Sequence, residues 1–189
     1  MDATRRPAAR IACAALALAA AASLAACSPE HDWREVRAED GGYRVMLPAR
    51  AARMTRAVEL DGLRVDMTMY GAQARGVAYT VATATLPDDT EATRERALAV
   101  MRVAMVRNIG GTERGSRPVA VAMIDAGGAP AGTVPGVEVE AAGRMRDADA
   151  VLLARFVARG TRVWQAVVLG PTPDREQAAV FLESLKLQR

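Results

Sequence analysis

Hydrophobic and polar residues alternate along much of this chain. Within 43–47, 63–69 and 77–86, apolar side chains recur at every second position, which is the period of a half-buried β-strand. Turn signals, Asp40-Gly41-Gly42 and Asp61-Gly62, precede two of these segments. The pattern also predicts strands over 112–124, 137–145, 151–158 and 162–169, with weaker signals over 33–38 and 51–60. We therefore expect a strand-rich domain.

The period changes after Pro87, where a helix is predicted over residues 89–109. Asp88 and Glu91 have the spacing of a capping box, and Gly110-Gly111 supplies the left-handed residue that ends many helices. One face of this helix is apolar and rich in methionine. It carries Leu98, Met101, Met105 and Ile109.

A second helix is predicted at the end of the chain, over residues 173–185. Thr172 can cap it, and Pro173 suits its first position. Its apolar face consists of Ala178, Phe181, Leu182 and Leu185. Together these elements predict an α+β domain, with an antiparallel sheet of about six to eight strands covered by the central and C-terminal helices as an α/β/α sandwich.

The first 26 residues have the three parts of an export signal. A basic segment with three arginines precedes the apolar run 11–22, and Leu24-Ala25-Ala26-Cys27 resembles a bacterial lipobox. Cleavage between Ala26 and Cys27 would leave Cys27 as a lipidated first residue. A plain secretory signal with an incidental cysteine is the alternative. The chain then divides into signal peptide 1–26, lipidated cysteine and short tether 27–32, and one domain over 33–189.

A lipid anchor implies a location in the bacterial cell envelope, facing the periplasm. Each buried CH₂ contributes about 0.8 kcal/mol, so two or more acyl chains hold a protein firmly in its leaflet. Ser28 follows the cysteine, where lipoproteins kept in the inner membrane often carry aspartate. Because Ser28 is not an aspartate, the resemblance to lipoprotein sorting signals favours the outer membrane over the inner membrane.

Composition is informative once the signal is set aside. Removal of residues 1–26 from the 189-residue chain leaves 163 residues, enough for one domain with a core. The signal contains three Arg and one Asp, so 22 basic residues then face 21 acidic ones. Arginines alternate with acidic and apolar residues and form no basic stripe, which argues against nucleic acid as a partner.

The residue types of most catalytic centres are missing from the predicted domain. Cys13 belongs to the signal and Cys27 carries the lipid, so no thiol remains for a disulfide, a nucleophile or a metal. His31 is the only histidine, and a Ser-His-Asp triad or a two-histidine zinc site needs others. Asp147 and Asp149 offer too few oxygens for calcium. We expect no catalytic residue, cofactor or metal.

Two features suggest a binding face. Met101 and Met105 can form an adaptable apolar surface, although such a stripe more often faces its own sheet. Gly127 and Gly128 lie in the glycine- and proline-rich stretch 125–136, whose length suits a flexible or binding loop, although such a stretch is more often a simple hairpin connection.

Two longer stretches carry a family resemblance. Tyr-Arg-Val-Met-Leu-Pro-Ala begins at Tyr43, and Arg-Val-Trp-Gln-Ala-Val-Val-Leu-Gly-Pro begins at Arg162, ahead of the terminal helix. With the central helix that ends in Gly-Gly, this order of elements resembles the PsbP-like α/β/α sandwich, which includes the Ran-binding Mog proteins and DcrB-type bacterial lipoproteins. The resemblance covers roughly residues 33–189. It implies an accessory, binding or assembly role without shared catalytic residues.

Three functions are compatible with these observations. The first is a non-enzymatic envelope lipoprotein that binds or helps to assemble another envelope protein. The second is a periplasmic binder of a small ligand or an apolar peptide. The third is a hydrolase that uses Asp, Glu or Ser without histidine, which a pair of carboxylates with perturbed pKa values in one cleft would support.

Overall fold

The computed structural model describes residues 31–189. The predicted signal peptide, the Ala26–Cys27 cleavage position and most of the predicted tether lie outside the described residues. Within the described part, ten strands and two helices follow one another along the chain. They are β1 (Arg34–Ala38), β2 (Tyr43–Leu47), β3 (Ala52–Leu60), β4 (Leu63–Ala74), β5 (Val77–Thr85), α1 (Glu91–Asn108), β6 (Thr112–Ile124), β7 (Pro130–Met145), β8 (Ala148–Arg159), β9 (Arg162–Gly170), α2 (Arg175–Ser184) and β10 (Lys186–Gln188).

All ten strands belong to one sheet in the order β1-β2-β10-β6-β7-β8-β9-β5-β4-β3. Neighbouring strands are antiparallel except β10 and β6, which are parallel, so the sheet is mixed. The sheet curls into a half-barrel. Strands β2 and β5 are six places apart in the sheet order, yet the curl brings them into contact.

The predicted fold class is therefore wrong. The protein is mostly β, with one curled ten-stranded sheet and 18% helix, rather than a sheet of six to eight strands covered by a central helix as an α/β/α sandwich. Ten strands about 4.8 Å apart span about 43 Å, whereas one helix is about 10 Å wide. Two short helices leave much of such a sheet uncovered, and curling lets the sheet cover part of itself.

The stretch 125–136 is not a flexible loop, and the simple hairpin connection between β6 and β7 is confirmed. The connection spans only 125–129, and β7 begins at Pro130. Residues 130–135 pair with β6 alone, because the pairing of β7 with β8 starts at Gly136. Residues 130–135 therefore form a local edge of the sheet. Proline has no backbone N–H to donate, and it is tolerated at an edge because no neighbouring strand needs that donor.

The two faces of the sheet carry separate cores. On the first, which we call the α2 face, Phe181 and Leu182 of the second helix and Leu185 at its end pack among residues of nine strands, including Tyr43, Tyr79 and Trp164. On the second, the α1 face, Met101 and Ile109 pack with Leu152, Phe156 and Val163. Alternating residues of β8 and β9 contribute to opposite cores, as the period of a strand requires.

The end of α1 is fixed against β7 by a close backbone approach. A Cβ atom built on Gly143 would lie 2.2 Å from the Ile109 carbonyl oxygen, and one on Gly111 would lie 2.6 Å from the Ala142 carbonyl oxygen. The Arg144 N–H donates to the Ile109 carbonyl over 2.7 Å. Only glycine fits where two backbones come this close.

Neither helix within residues 31–189 is long and apolar enough to cross a bilayer.

Candidate functional site

A groove of about 580 Å³ lies on the α2 face, between the second helix and strands β6, β7 and β8. Its floor is apolar and includes Leu153, Ala178 and Leu182. Its walls carry charged side chains from three strands and the helix. They are Arg114, Arg117, Glu138, Glu140, Arg155, Arg175 and Glu183.

Arg155 is the buried centre of this groove. Its side chain is only 8% exposed, because alternation along β8 places it with Leu153 and Val157 on the face that α2 covers. Its Nε and Nη2 atoms donate to Glu138 Oε2, and its Nη1 donates to the Leu182 carbonyl oxygen over 2.7 Å. Arg155 therefore joins the sheet to the last turn of α2, where carbonyls lack helical partners.

Glu138 binds two guanidinium groups at once. Arg117, Glu138 and Arg155 are directly opposite one another on β6, β7 and β8, so their side chains form a row across one face. Arg117 Nη2 donates to Glu138 Oε1 over 2.6 Å. The row has two positive groups and one negative group. Arg117 is 68% exposed, so the excess positive charge faces the open side of the groove.

A second charged pair connects the helix to the sheet. Arg175, in the first turn of α2, donates from Nη1 and Nη2 to the two oxygens of Glu140 over 2.9 and 2.7 Å. Hydrogen bonding by the Arg175 guanidinium lowers the pKa of Glu140 below its ordinary value. Glu140 is thus held as a carboxylate at neutral pH.

Arg114 occupies the lip of the groove at an irregularity in β6. The register of β6 against β7 shifts between Glu113 and Gly115, so Arg114 has no position opposite it. Its side chain is exposed, and it makes no hydrogen bond or ion pair with any other residue in 31–189. The lip therefore offers an unpaired cation above an apolar floor, which suits a ligand that has both a carboxylate and an apolar part.

The predicted binding residues lie elsewhere. Met101 is 2% exposed in the core of the α1 face, and Met105 packs against that core, where its sulfur accepts a contact of 3.8 Å from Gln165 Nε2. Gly127 and Gly128 lie in the turn between β6 and β7, and Gly128 has a φ of +89°. None of these four residues lines the groove.

His31 has a structural contact that the sequence analysis did not foresee. Its ring stacks on Trp33 with centroids 5.7 Å apart and meets the edge of Tyr79 at 6.4 Å. Among residues 31–189, no three His, Cys, Asp or Glu side chains are grouped closely enough to hold a metal ion.

None of the charged residues of the groove was predicted as a site residue from the sequence. Arg117, Glu138 and Arg155 are separated by 21 and 17 positions along the chain, and only the strand register brings them together. Each alone has the usual appearance of a charged residue on a solvent-facing strand position. A usable signal would have been a charge on a strand face that is otherwise apolar, such as Arg155 between Leu153 and Val157.

Comparisons with known proteins give no family. No family model matches the sequence, and no curated protein matches it. One similar solved structure is a protein of unknown function from Pseudomonas aeruginosa, with 10% sequence identity and a TM-score of 0.38. The similarity covers 78% of this chain and 88% of that protein. The resemblance to PsbP-like lipoproteins therefore stays a prediction from the sequence.

Proposed function

We propose that this protein is a non-enzymatic envelope lipoprotein, anchored by a lipid on Cys27, that binds another envelope protein through the groove beside α2. The lipobox-like segment before Cys27 supports the anchor, and Ser28 favours the outer membrane. The membrane is then one partner, through the lipid, and an envelope protein is the second.

The observation that carries the binding role is the row Arg117–Glu138–Arg155 together with the unpaired Arg114. A buried ion pair is weak evidence for stability, because desolvation of the charges offsets most of their attraction. A charged row beneath an open cavity has a clearer use in recognition. The exposed arginines suit an acidic segment of a partner, and the apolar floor suits one neighbouring apolar side chain.

The ionisation of the groove supports a binding role over acid–base chemistry. A general acid or base works best with a pKa near the working pH. The pKa of Glu140 is shifted further from neutral pH, because hydrogen bonding by Arg175 lowers it. A carboxylate held charged by an arginine positions that arginine and sets the local potential, but it has little tendency to take up a proton.

Site-specific photocrosslinking in cells tests this proposal. A photoreactive amino acid replaces Ala179, an exposed residue of α2 that lines the groove, and in a matched control it replaces Ala57, an exposed alanine of β3 that does not line the groove. Both versions are prepared with Cys27 and with Cys27→Ala. We expect a discrete adduct from position 179 in the anchored protein only, and its loss when Arg117→Glu and Arg175→Glu reverse the charge of the groove.

Two results contradict the proposal. One is the same set of adducts from positions 179 and 57, which would show random collision. The other is no adduct from position 179 in a protein that fractionates with the membrane and resists protease like the parent.

A periplasmic binder of a small ligand is the second candidate, and the size of the groove favours it. A volume of about 580 Å³ falls within the range of about 300–1,000 Å³ that is common for ligand pockets. Native mass spectrometry of the Cys27→Ala protein, taken directly from the periplasm, distinguishes a small-ligand binder from a binder of an envelope protein. A bound small molecule that Arg155→Met removes would support this candidate, whereas a ligand-free mass together with a protein adduct in cells supports the first.

A further inference from the structure

The folded domain begins closer to the proposed lipid anchor than the sequence analysis expected. Residues 27–32 were predicted to form a tether, but the last two belong to the fold. The Asp32 N–H donates to the Pro48 carbonyl oxygen over 2.9 Å. His31 stacks on Trp33. The connection available between Cys27 and the fold is therefore residues 28–30.

This length limits how far the domain can move from a membrane. Four residue steps separate Cys27 from His31, and an extended chain spans at most about 3.3–3.6 Å per residue, or about 14 Å. The interfacial layer on each side of a bilayer is itself about 5–8 Å thick. If Cys27 carries the anchor, the surface around His31 must therefore lie at the lipid headgroups or immediately next to them.

The chemistry of this surface suits that position. Trp33 and His31 are half-buried, each with an apolar ring and a polar N–H, and tryptophan is enriched at membrane–water interfaces for this reason. Arg50 is exposed and lies two residues after Pro48, whose carbonyl oxygen accepts from the Asp32 N–H. The guanidinium of Arg50 can bind lipid phosphates.

The aromatic residues are fixed to the core. Trp33 meets the edge of Tyr79 at 6.0 Å, and Tyr79 in turn meets the edge of Phe181 of α2 at 5.5 Å. Tyr79 is 1% exposed and Phe181 is completely buried. Any contact that Trp33 makes with lipid therefore constrains the whole domain.

We propose that His31, Trp33 and Arg50, which we call the anchor rim, insert among the lipid headgroups of the membrane that holds Cys27 and fix the domain in one orientation there. The inference rests on the proposed lipid anchor. It adds a second membrane contact and identifies its occupant as a phospholipid surface.

One end of the groove lies on the same row of the sheet as Tyr79. Glu140 and Leu153 of the groove are opposite each other on β7 and β8, and the row continues through β9 to Tyr79 on β5. Arg175 follows Asp174 and binds Glu140 in the groove. An orientation fixed by the anchor rim holds this end of the groove near the bilayer, so a partner would present its acidic segment at the membrane surface.

Quenching of tryptophan fluorescence tests the anchor rim. The full chain contains two tryptophans, Trp33 and Trp164, and Trp164 is 3% exposed. The lipidated protein is reconstituted into phosphatidylethanolamine–phosphatidylglycerol vesicles, with and without bromine on the acyl carbons nearest the headgroup. We expect brominated lipid to lower the emission of the parent protein, and Trp33→Phe to abolish this loss while the emission of Trp164 persists.

A charge reversal provides a second variant that retains both tryptophans. Arg50→Glu should decrease the quenching, whereas Arg64→Glu should leave it unchanged, because Arg64 lies beside the β3–β4 turn at the opposite end of the sheet. Equal emission in brominated and plain vesicles, from a protein whose mass shows an acylated Cys27, would overturn the anchor rim. A mass without acyl chains would instead overturn the anchor itself, so the two failures are distinguishable.

Discussion

Trp164 and Gly41 connect two distant parts of the sheet. The indole Nε1 of Trp164, in β9, donates a hydrogen bond to the Gly41 carbonyl oxygen over 2.8 Å. Gly41 lies in the turn between β1 and β2, and four strands separate β9 from β2 in the sheet order. This bond therefore spans the concave side of the half-barrel and holds its curl.

Replacement of Trp164 by phenylalanine should destabilise the domain. Trp164→Phe keeps an aromatic ring but leaves the Gly41 carbonyl without its partner, and an unsatisfied buried group costs about 1–3 kcal/mol. Urea unfolding of the Cys27→Ala protein, prepared without lipid, measures the change. Tyr79→Phe is the matched control, because the Tyr79 hydroxyl makes no hydrogen bond with any other residue of 31–189. An unchanged midpoint for Trp164→Phe would show that the bond does not contribute.

A methyl group at Gly143 should be far more damaging than one at Gly115. The Cβ of Gly143→Ala would lie 2.2 Å from the Ile109 carbonyl oxygen, so α1 and β7 must separate. Overpacking of this kind costs about 1–3 kcal/mol or more. At Gly115 no atom lies within 4 Å of the added Cβ. Thermal unfolding of both variants tests the contrast, and similar melting temperatures would contradict the close approach of α1 and β7.

Removal of Arg155 should destabilise the protein more than removal of the whole pair. Arg155→Met leaves the Leu182 carbonyl without its partner and Glu138 with only the exposed Arg117, and loss of one member of a buried ion pair costs about 3 kcal/mol. Arg155→Met with Glu138→Met removes both charges and should recover part of that loss. Chemical denaturation of the parent, Arg155→Met, Glu138→Met and the double variant gives a double-mutant cycle for the pair. Equal destabilisation by the double and single variants would argue against a coupled pair.

The ion pair between Arg102 and Glu113 should make part of the stability depend on pH. Hydrogen bonding by the Arg102 guanidinium lowers the pKa of Glu113, so its contribution is present above the unfolded pKa of about 4.3 and is lost as pH falls through the folded pKa. Both side chains are about one-third exposed, so solvent screening limits the pair to about 0.5 kcal/mol.

Glu113→Gln is the variant that measures this dependence. At pH 7 it should unfold at a lower urea concentration than the parent, and the difference should disappear near pH 3. Glu59→Gln, at an exposed position on β3 that makes no ion pair in the described residues, is the control. A difference that persists unchanged at pH 3 would contradict the assignment.

Local structure was predictable wherever one short segment decides it. Asp61 and Gly62, predicted as a hairpin turn, have φ values of +52° and +80°, which both central positions of a type I′ turn require. Gly110, predicted to end the central helix, has a φ of +52°. The predicted capping box of Asp88 and Glu91 is wrong: Thr90 is the cap and accepts from the Thr93 N–H, while Asp88 accepts hydrogen bonds from Thr90. Neighbouring polar residues compete for one cap, so spacing alone does not choose between them.

The order of the strands was beyond local prediction. Residues 186–188 are too few to show a period, yet they form β10 between β2 and β6, in parallel with β6. The second helix starts at Arg175 with Asp174 as its cap, rather than at Pro173 with Thr172. The groove depends on the same long-range register, because Arg117, Glu138 and Arg155 meet only when three strands are correctly aligned.

The chemical state of Cys27 decides whether this protein is anchored to a membrane. Intact mass spectrometry of the protein extracted from the membrane fraction of its bacterial host decides this. We expect a chain that lacks residues 1–26, begins at Cys27 and carries the added mass of a diacylglyceryl group and an amide-linked acyl chain. A chain that begins at another residue, or a Cys27 with a free thiol, would contradict the anchor and with it the membrane orientation of the groove.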